Sequence, residues 1–308
     1  VRHTAGDVAL FADPGFAVTR PARDAGWPIG TGDYGVESVT LAADGRASEV
    51  IGRARVPGLP RFVRFRTAGS ADMRDALDAA ADVLVTRDRE TLAYARRLDA
   101  FDASPLPWDR SYVLLSRRTA SPPALPGELL ASLARDVVPG DARAAVDDDI
   151  GSPAPSCDAE NAMAATSVAL RPRIVYPHGD VAAAALAERL AALSGTRRHE
   201  WLAARLGVAG RVTAAGLDDA GFDAALRSGD DAGYILPLST VGRTGDRWTA
   251  TACARSDLVS LAPWLAAAGT VTPLVETRAH LVRRRGVGPV QVDAHGTFRF
   301  VPATGVGR

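Results

Sequence analysis

The chain has 308 residues, 47% of them hydrophobic and 23% charged, an ordinary globular composition with room for two cores. Lysine is absent, so all 36 basic residues are Arg, and 36 acidic residues bring the formal net charge to zero. A neutral chain with interspersed signs exerts no long-range pull on phosphate backbones or acidic bilayers, which argues against nucleic acid as a partner, and no apolar run approaches the roughly 18 residues needed to cross a membrane as a helix.

The missing Lys reads as coding bias. The chain opens at Val1 without a basic-then-apolar leader, which reads as a processed chain or a fragment. Residues 1–35 are rich in Gly, Pro and Asp and are expected to be loop, with one short strand at Val8-Ala9-Leu10-Phe11. Val36 to Leu41 and Ala47 to Ile51 flank Asp44-Gly45, a dipeptide suited to the positive φ angles of a tight hairpin, so an antiparallel ribbon is predicted there. Phe62 to Phe65, the helix-period segment from Asp72 to Leu77, and Asp82 to Val85 then read as a strand, helix, strand crossover. A similar order recurs in Arg211-Val212-Thr213, Phe222 to Leu226, and Asp231 to Leu236. Two such units far apart suggest two similar α/β lobes, with small ligands bound between them.

Between these units the pattern predicts a helix over Arg89 to Leu98 and then a break at Ser104-Pro105-Leu106-Pro107, the expected crossing between lobes, before a strand at Ser111 to Ser116. A short amphipathic helix is expected over Glu128 to Val137, ended by Pro139-Gly140. From Asp141 to Pro172 there is little periodicity. Arg173 to Tyr176 reads as a buried strand, and Asp180 as the N-cap of an Ala- and Leu-rich helix stopping at Gly195. A helix around Glu200 to Leu206 follows. Trp248 to Ala254 is a strand candidate and Asp257 to Ala268 a helix candidate containing Pro263. Leu274 to Val282, Val287 to Val292 and Thr297 to Val301 read as extended chain closing with a hairpin at His295-Gly296. A chain ending in strands after its second lobe is expected to return to its first.

Motifs for chemistry are scarce. Gly30-Thr31-Gly32-Asp33-Tyr34-Gly35 lacks the preceding strand, following helix and Lys of a phosphate loop and reads as a turn. His199-Glu200 has Ala203 where a zinc-protease motif needs a second His, there is no Gly-x-Ser-x-Gly elbow, and Asp147-Asp148-Asp149 has no spaced oxygen ligands and reads as a solvated loop. Cys157 and Cys253 are either two buried hydrophobes or a disulfide. No cofactor and no catalytic residue is expected. The candidate ligand contacts are Trp108, Asp109, Arg110 and Tyr112, where an aromatic face lies beside both charges, together with the strand-end hydroxyls of Thr86 and Ser70. Each has a structural alternative: Trp108 packing at the hinge, Asp109 pairing with Arg110, and the hydroxyls capping helices. Tyr234 and Trp248 are weaker candidates, since a Tyr within an apolar strand is usually core.

Several stretches together resemble the extracellular solute-binding proteins of the oligopeptide and nickel ABC transporter class, which have the type 2 periplasmic-binding fold. Pro28-Ile29-Gly30-Thr31-Gly32-Asp33-Tyr34 is similar to that family's proline, x, glycine, threonine, glycine, proline, tyrosine signature, with Asp33 in place of the second Pro. The segment ending Ala80-Ala81-Asp82-Val83-Leu84-Val85, the helix within Pro122 to Val138, and the strand and helix of Arg173 to Leu193 extend the likeness. In the family the signature lies well inside the chain, so its early position here corresponds to a partial first lobe or a shortened branch. The resemblance implies an α/β protein of two lobes, each a mixed sheet flanked by helices, the first from residues 1–104 and 272–308 and the second from 105–271. It implies a monomeric, non-enzymatic, periplasmic or cell-surface protein that captures a small molecule or peptide and delivers it to a membrane permease. Trp108 would stack on the ligand, Asp109 and Arg110 would pair with its charges, and Thr86 and Ser70 would donate hydrogen bonds. The alternatives are an enzyme on the same two-lobed plan and a sensor or assembly module with a filled cleft.

Overall fold

The buried strands of this chain follow apolar runs, and helices starting at Met73, Arg89, Val181 and Asp219 form where an Asp side chain caps the first turn. A computed structural model describes residues 19–20, 29–30, 33–43, 45, 47–66, 72–79, 81–117, 125–137, 141–145, 169–196, 200–239, 264–265, 269–288, 290–292 and 298–300. In chain order the elements are β1 (Thr19–Arg20), β2 (Ile29–Gly30), β3 (Tyr34–Leu41), β4 (Ala47–Ala54), β5 (Phe62–Arg66), α1 (Met73–Asp78), β6 (Val83–Thr86), α2 (Arg89–Arg97) and β7 (Phe101–Arg117). They continue with α3 (Gly127–Val137), β8 (Ala142–Ala144), β9 (Arg171–Pro177), α4 (Val181–Ser194), α5 (Glu200–Leu206), β10 (Thr213–Leu217), α6 (Asp219–Ser228), β11 (Asp231–Ser239), β12 (Gly269–Arg284), β13 (Val290–Val292) and β14 (Phe298–Phe300). No helix among the described residues is long and apolar enough to cross a membrane.

The chain divides into two compact units, one from residues 1–107 with 279–308 and one from 108–278. The long strands β7 and β12 contribute residues to both. In the first unit β3, β4 and β5 form an antiparallel sheet, and the turn between β3 and β4 places Gly45 at φ 80° with its N–H donating to the Ala42 carbonyl. β6 pairs antiparallel with the end of β12, from His280↔Thr86 to Arg283↔Val83. Leu77 of α1, Leu92 and Ala95 of α2, Phe101 and Val282 make the core of this unit. Asp72 and Asp88 cap the two helices by accepting from the backbone N–H of Arg74 and Thr91, as their short acceptor side chains suit them to do.

The second unit is built on the strand order β10-β9-β11-β7-β12, with β8 also on β12. β9 pairs parallel with both β10 and β11, whereas β11 pairs antiparallel with β7 and β12 with β8. Its sheet is therefore mixed. Successive residues of β7 point to opposite faces: Tyr112 and Leu114 join Leu129, Leu133, Leu186, Leu190 and Leu206 of α3, α4 and α5, while Val113 and Leu115 join Phe222 and Leu226 of α6. That two-sided burial is why Tyr112 to Leu115 reads as an unbroken apolar run rather than an alternating one.

Three expectations are corrected. The two strand, helix, strand segments are not equivalent: β10, α6 and β11 form a parallel crossover over β9, but β5 joins the β3–β4 ribbon and β6 joins β12, so they never share a sheet. Local pattern cannot distinguish these outcomes, although the exposure of Phe62, Arg64, Phe65 and Arg66 is that of an open antiparallel ribbon rather than a buried parallel strand. The ribbon expected from residues 36–51 accordingly has three strands rather than two. Finally, Ser104 to Pro107 does not interrupt the chain; β7 runs continuously from Phe101 to Arg117. Pro105 and Pro107 are two apart, so their missing N–H groups fall on one edge of the strand while Ser104, Leu106 and Trp108 keep donors for the other.

The strand expected at Val8 to Phe11, both cysteines, Asp147 to Asp149, His199 and Trp248 lie outside the described residues. So does the helix candidate at Asp257 to Ala268 except for Trp264 and Leu265, which are helical.

Candidate functional site

Trp108 enters the second unit on β7, partly buried, and two arginines stack on it. The guanidinium carbon of Arg143 lies 4.7 Å from the indole centroid and that of Arg278 lies 4.8 Å away, within the range of cation–π attraction. Arg143 comes from β8 and Arg278 from β12, and the register Glu276↔Arg143 sets Arg143 opposite Glu276. Because residues two apart on a strand share a face, Glu276 and Arg278 both lie on the face that Arg143 occupies.

Acids hold both guanidiniums in place. Arg143 donates from Nε at 2.7 Å and from a terminal nitrogen at 2.6 Å to Oε2 of Glu276, a residue only 3% exposed. Arg278 donates from Nε to Oδ1 of Asp141 at 3.1 Å. A buried carboxylate requires a charged partner, and Arg143 serves Glu276 while its own side chain stays 49% exposed. Its remaining N–H groups have no partner among the described residues. An open groove of about 560 Å³ runs between α3 and β8, lined by Glu128, Ala131, Ala134, Arg135, Ala142, Arg143 and Ala144. The floor is small and apolar, and charges of both signs stand on it.

Of the residues expected from sequence to contact ligand, Trp108, Asp109, Arg110 and Tyr112 all lie on β7 in the second unit. Trp108 carries the two arginines just described. Asp109 and Arg110 are partly buried, and Arg110 lies beside the Tyr112 hydroxyl. Tyr112 is 3% exposed, and its hydroxyl donates to the Asp180 carboxylate, 3.0 and 3.1 Å from its two oxygens. Asp180 also accepts from the N–H groups of Ala182 and Ala183, so it caps α4 while anchoring β7. Burial first, and then the neighbouring Asp180 charge, push the Tyr112 phenol up to about 12. Thr86 ends β6 in the first unit, 2% exposed, with its hydroxyl accepting from the Asp88 N–H at 3.0 Å. Ser70 lies outside the described residues. Tyr234 is a core residue whose hydroxyl donates to the Ala225 carbonyl and accepts from the Asp231 N–H.

Asp141, Arg143, Glu276 and Arg278 were not singled out in the sequence. For the last two a signal exists: Glu276, Arg278 and His280 alternate with the uncharged Val275, Thr277, Ala279 and Leu281, the mark of one polar face. Arg143 falls in an aperiodic stretch and only tertiary pairing brings it to Trp108. Among the described residues no group of three or more His, Cys, Asp or Glu side chains stands close enough to hold a metal ion.

No protein-family model matches the chain, and no curated protein does. Among solved structures it is similar to NikA from Staphylococcus aureus in complex with Ni(L-His)2, with a TM-score of 0.52 and 12% identity over 94% of this chain and 72% of that one. NikA from Brucella suis in complex with Fe(III)-EDTA matches with a TM-score of 0.46 and 11% identity, covering 88% of this chain and 68% of that one. A dipeptide binding protein from Pseudoalteromonas sp. SM9913 in complex with Met-Leu matches with a TM-score of 0.46 and 11% identity, covering 87% and 63%. The chain thus spans about two thirds of the length of the latter two, 68% and 63%. Its mixed sheets flanked by helices, and the match to the Staphylococcus aureus protein, show an α/β fold of the type 2 periplasmic-binding kind.

Proposed function

We propose that the protein is the substrate-binding component of an ABC-type uptake system, capturing a small solute outside the cytoplasmic membrane and presenting it to a membrane permease. The observation that carries this reading is the fold itself, matched over 94% of the chain to a protein solved with a small ligand bound. The solute is an organic molecule, a short peptide among the candidates, bound without covalent chemistry by a monomeric protein in the periplasm or at the cell surface. Stacked arginines on an aromatic face, with acids that fix their orientation, suit polar recognition: the donors are held in place before ligand arrives, so little side-chain entropy is lost on binding.

Calorimetry of the protein against panels of short peptides, amino acids and metal chelates tests this. Saturable binding of a panel member with one-to-one stoichiometry is expected. Absence of binding across all three panels would remove solute capture as the function.

A further inference from the structure

We propose that the outer edge of β5 is a docking edge for an extended acidic segment of a partner protein, which adds to the β3–β4–β5 sheet of the first unit as a further antiparallel strand. This interaction surface goes beyond solute capture and does not depend on it.

The register shows which groups of β5 face outward. β4 and β5 pair from Glu49↔Arg66 to Arg53↔Phe62, and one residue further the Ala54 N–H donates to the Arg61 carbonyl directly opposite. Hydrogen-bonded and non-hydrogen-bonded pairs alternate along an antiparallel ladder, so Arg61, Val63 and Phe65 turn their backbone groups to β4 while Phe62, Arg64 and Arg66 turn theirs away from it. No strand among the described residues takes these up, and such an edge is a template for another strand. Of the two open edges of this sheet it is the regular one: β4 and β5 pair without a shift, whereas the register of β3 against β4 shifts twice. Charge selects the occupant. Phe62, Arg64 and Arg66 share one face, on which Arg64 and Arg66 both lie 3.6 Å from the same Glu49 oxygen and Arg53 lies 3.9 Å from Glu37, so three guanidiniums share two carboxylates. The register that would pair the whole of β5 with a second copy of itself sets Arg64 directly against Arg64 and brings no counter-charge, which disfavours self-pairing. A strand with acids opposite Arg64 and Arg66 supplies the missing charge, and apolar residues opposite Val63 and Phe65 cover the exposed Phe65 ring on the other face. Read from its amino end, the antiparallel partner is acid, apolar, acid, apolar, apolar, the last residue standing beside Phe62.

The test is titration of the full chain with the peptide Thr-Glu-Val-Glu-Val-Val-Thr, acetylated and amidated so that it carries no terminal charge, followed by the amide chemical shifts of residues 62–66. Its two Glu fall opposite Arg66 and Arg64. Saturable shifts in 62–66 are expected, with a scrambled peptide of the same composition binding about tenfold more weakly or worse. N-methylation of the Glu opposite Arg64 should abolish binding, because that N–H meets the Arg64 carbonyl, whereas N-methylation of the Val opposite Phe65, whose N–H points away from β5, should be tolerated. Arg64→Gln and Arg66→Gln should each weaken binding severalfold at unchanged melting temperature; should either variant melt early, the two N-methylated peptides, which leave the protein untouched, still decide. Equal binding of the scrambled peptide, or equal effects of the two N-methylations, overturns strand addition. Indifference to both Arg substitutions in stably folded variants overturns the acidic occupant. No binding, or shifts that spare 62–66, overturns the edge, and self-association of the chain alone that shifts these amides makes a second copy the occupant and overturns the partner. Solute capture stands or falls separately, with the calorimetric panels.

Discussion

Replacing Asp180 by Ala removes two functions of one carboxylate, and their sizes can be separated. The side chain caps α4 by accepting from Ala182 and Ala183, a role that stabilises by about 1 kcal/mol. It also accepts from the Tyr112 hydroxyl, whose residue is 3% exposed; a buried hydroxyl left without an acceptor costs about 1–3 kcal/mol, and Arg110 beside it offers only donors. Asp180→Ala should therefore destabilise the second unit by about 2–4 kcal/mol. In a Tyr112→Phe background the hydroxyl is gone, so the same substitution should cost only the cap, about 1 kcal/mol. Urea denaturation of the four members of this cycle, followed by a probe within residues 108–278, measures the difference directly. A cost for Asp180→Ala that is the same in both backgrounds would refute the coupling, and a cost under about 0.5 kcal/mol would refute the cap as well.

Other consequences can be measured on the same protein. Burial, reinforced by nearby carboxylates, pushes the phenols of Tyr112 and Tyr234 from the ordinary 10.0 up to about 12. The folded chain therefore retains protons that the unfolded chain releases above pH 10, so the contribution of these phenols is complete below pH 10 and is lost as pH rises toward 12. Denaturation midpoints measured from neutral pH to pH 12 should fall mainly in that last interval, with each tyrosine accounting for about 2–3 kcal/mol, and the double Phe variant should flatten the fall. Gly229 ends α6 at φ 64°, and a Cβ there would meet Trp264 at 2.5 Å; Gly229→Ala should cost more than the roughly 1 kcal/mol of a left-handed residue alone, and a smaller loss in thermal unfolding would show that the indole moves aside freely. Leu133 of α3 is fully buried, so Leu133→Ala should lose about 2–5 kcal/mol; a loss under about 1 kcal/mol in urea would mean that α3 is not anchored through this side chain.

Local features carried much of the fold. Asp72, Asp88 and Asp180 announce helices because a short acceptor before a helical run can satisfy N–H groups that the helix itself leaves open. Gly45 marks the hairpin because its backbone takes a positive φ angle. The continuous run Tyr112 to Leu115 marks a strand covered on both faces. The fold class follows from such signals because strands and helices with apolar faces have few ways to bury them.

The candidate site was legible only in part. Trp108 drew notice as an aromatic beside an acid and a base, but its actual companions are Arg143 and Arg278, far away in sequence. Phe62 to Val85 and Arg211 to Leu238 looked alike as text and fold differently, because pattern reports which residues seek burial and not which partner strand receives them. Composition, capping and periodicity determined by themselves that this chain makes an α/β protein with helices at stated places, since those signals act between residues a few positions apart. Tertiary structure alone decided which sheet β5 and β6 joined and which charges reached Trp108: hydrogen-bonding edges are chemically alike along every strand, and the choice among them depends on how the whole chain buries its apolar surface.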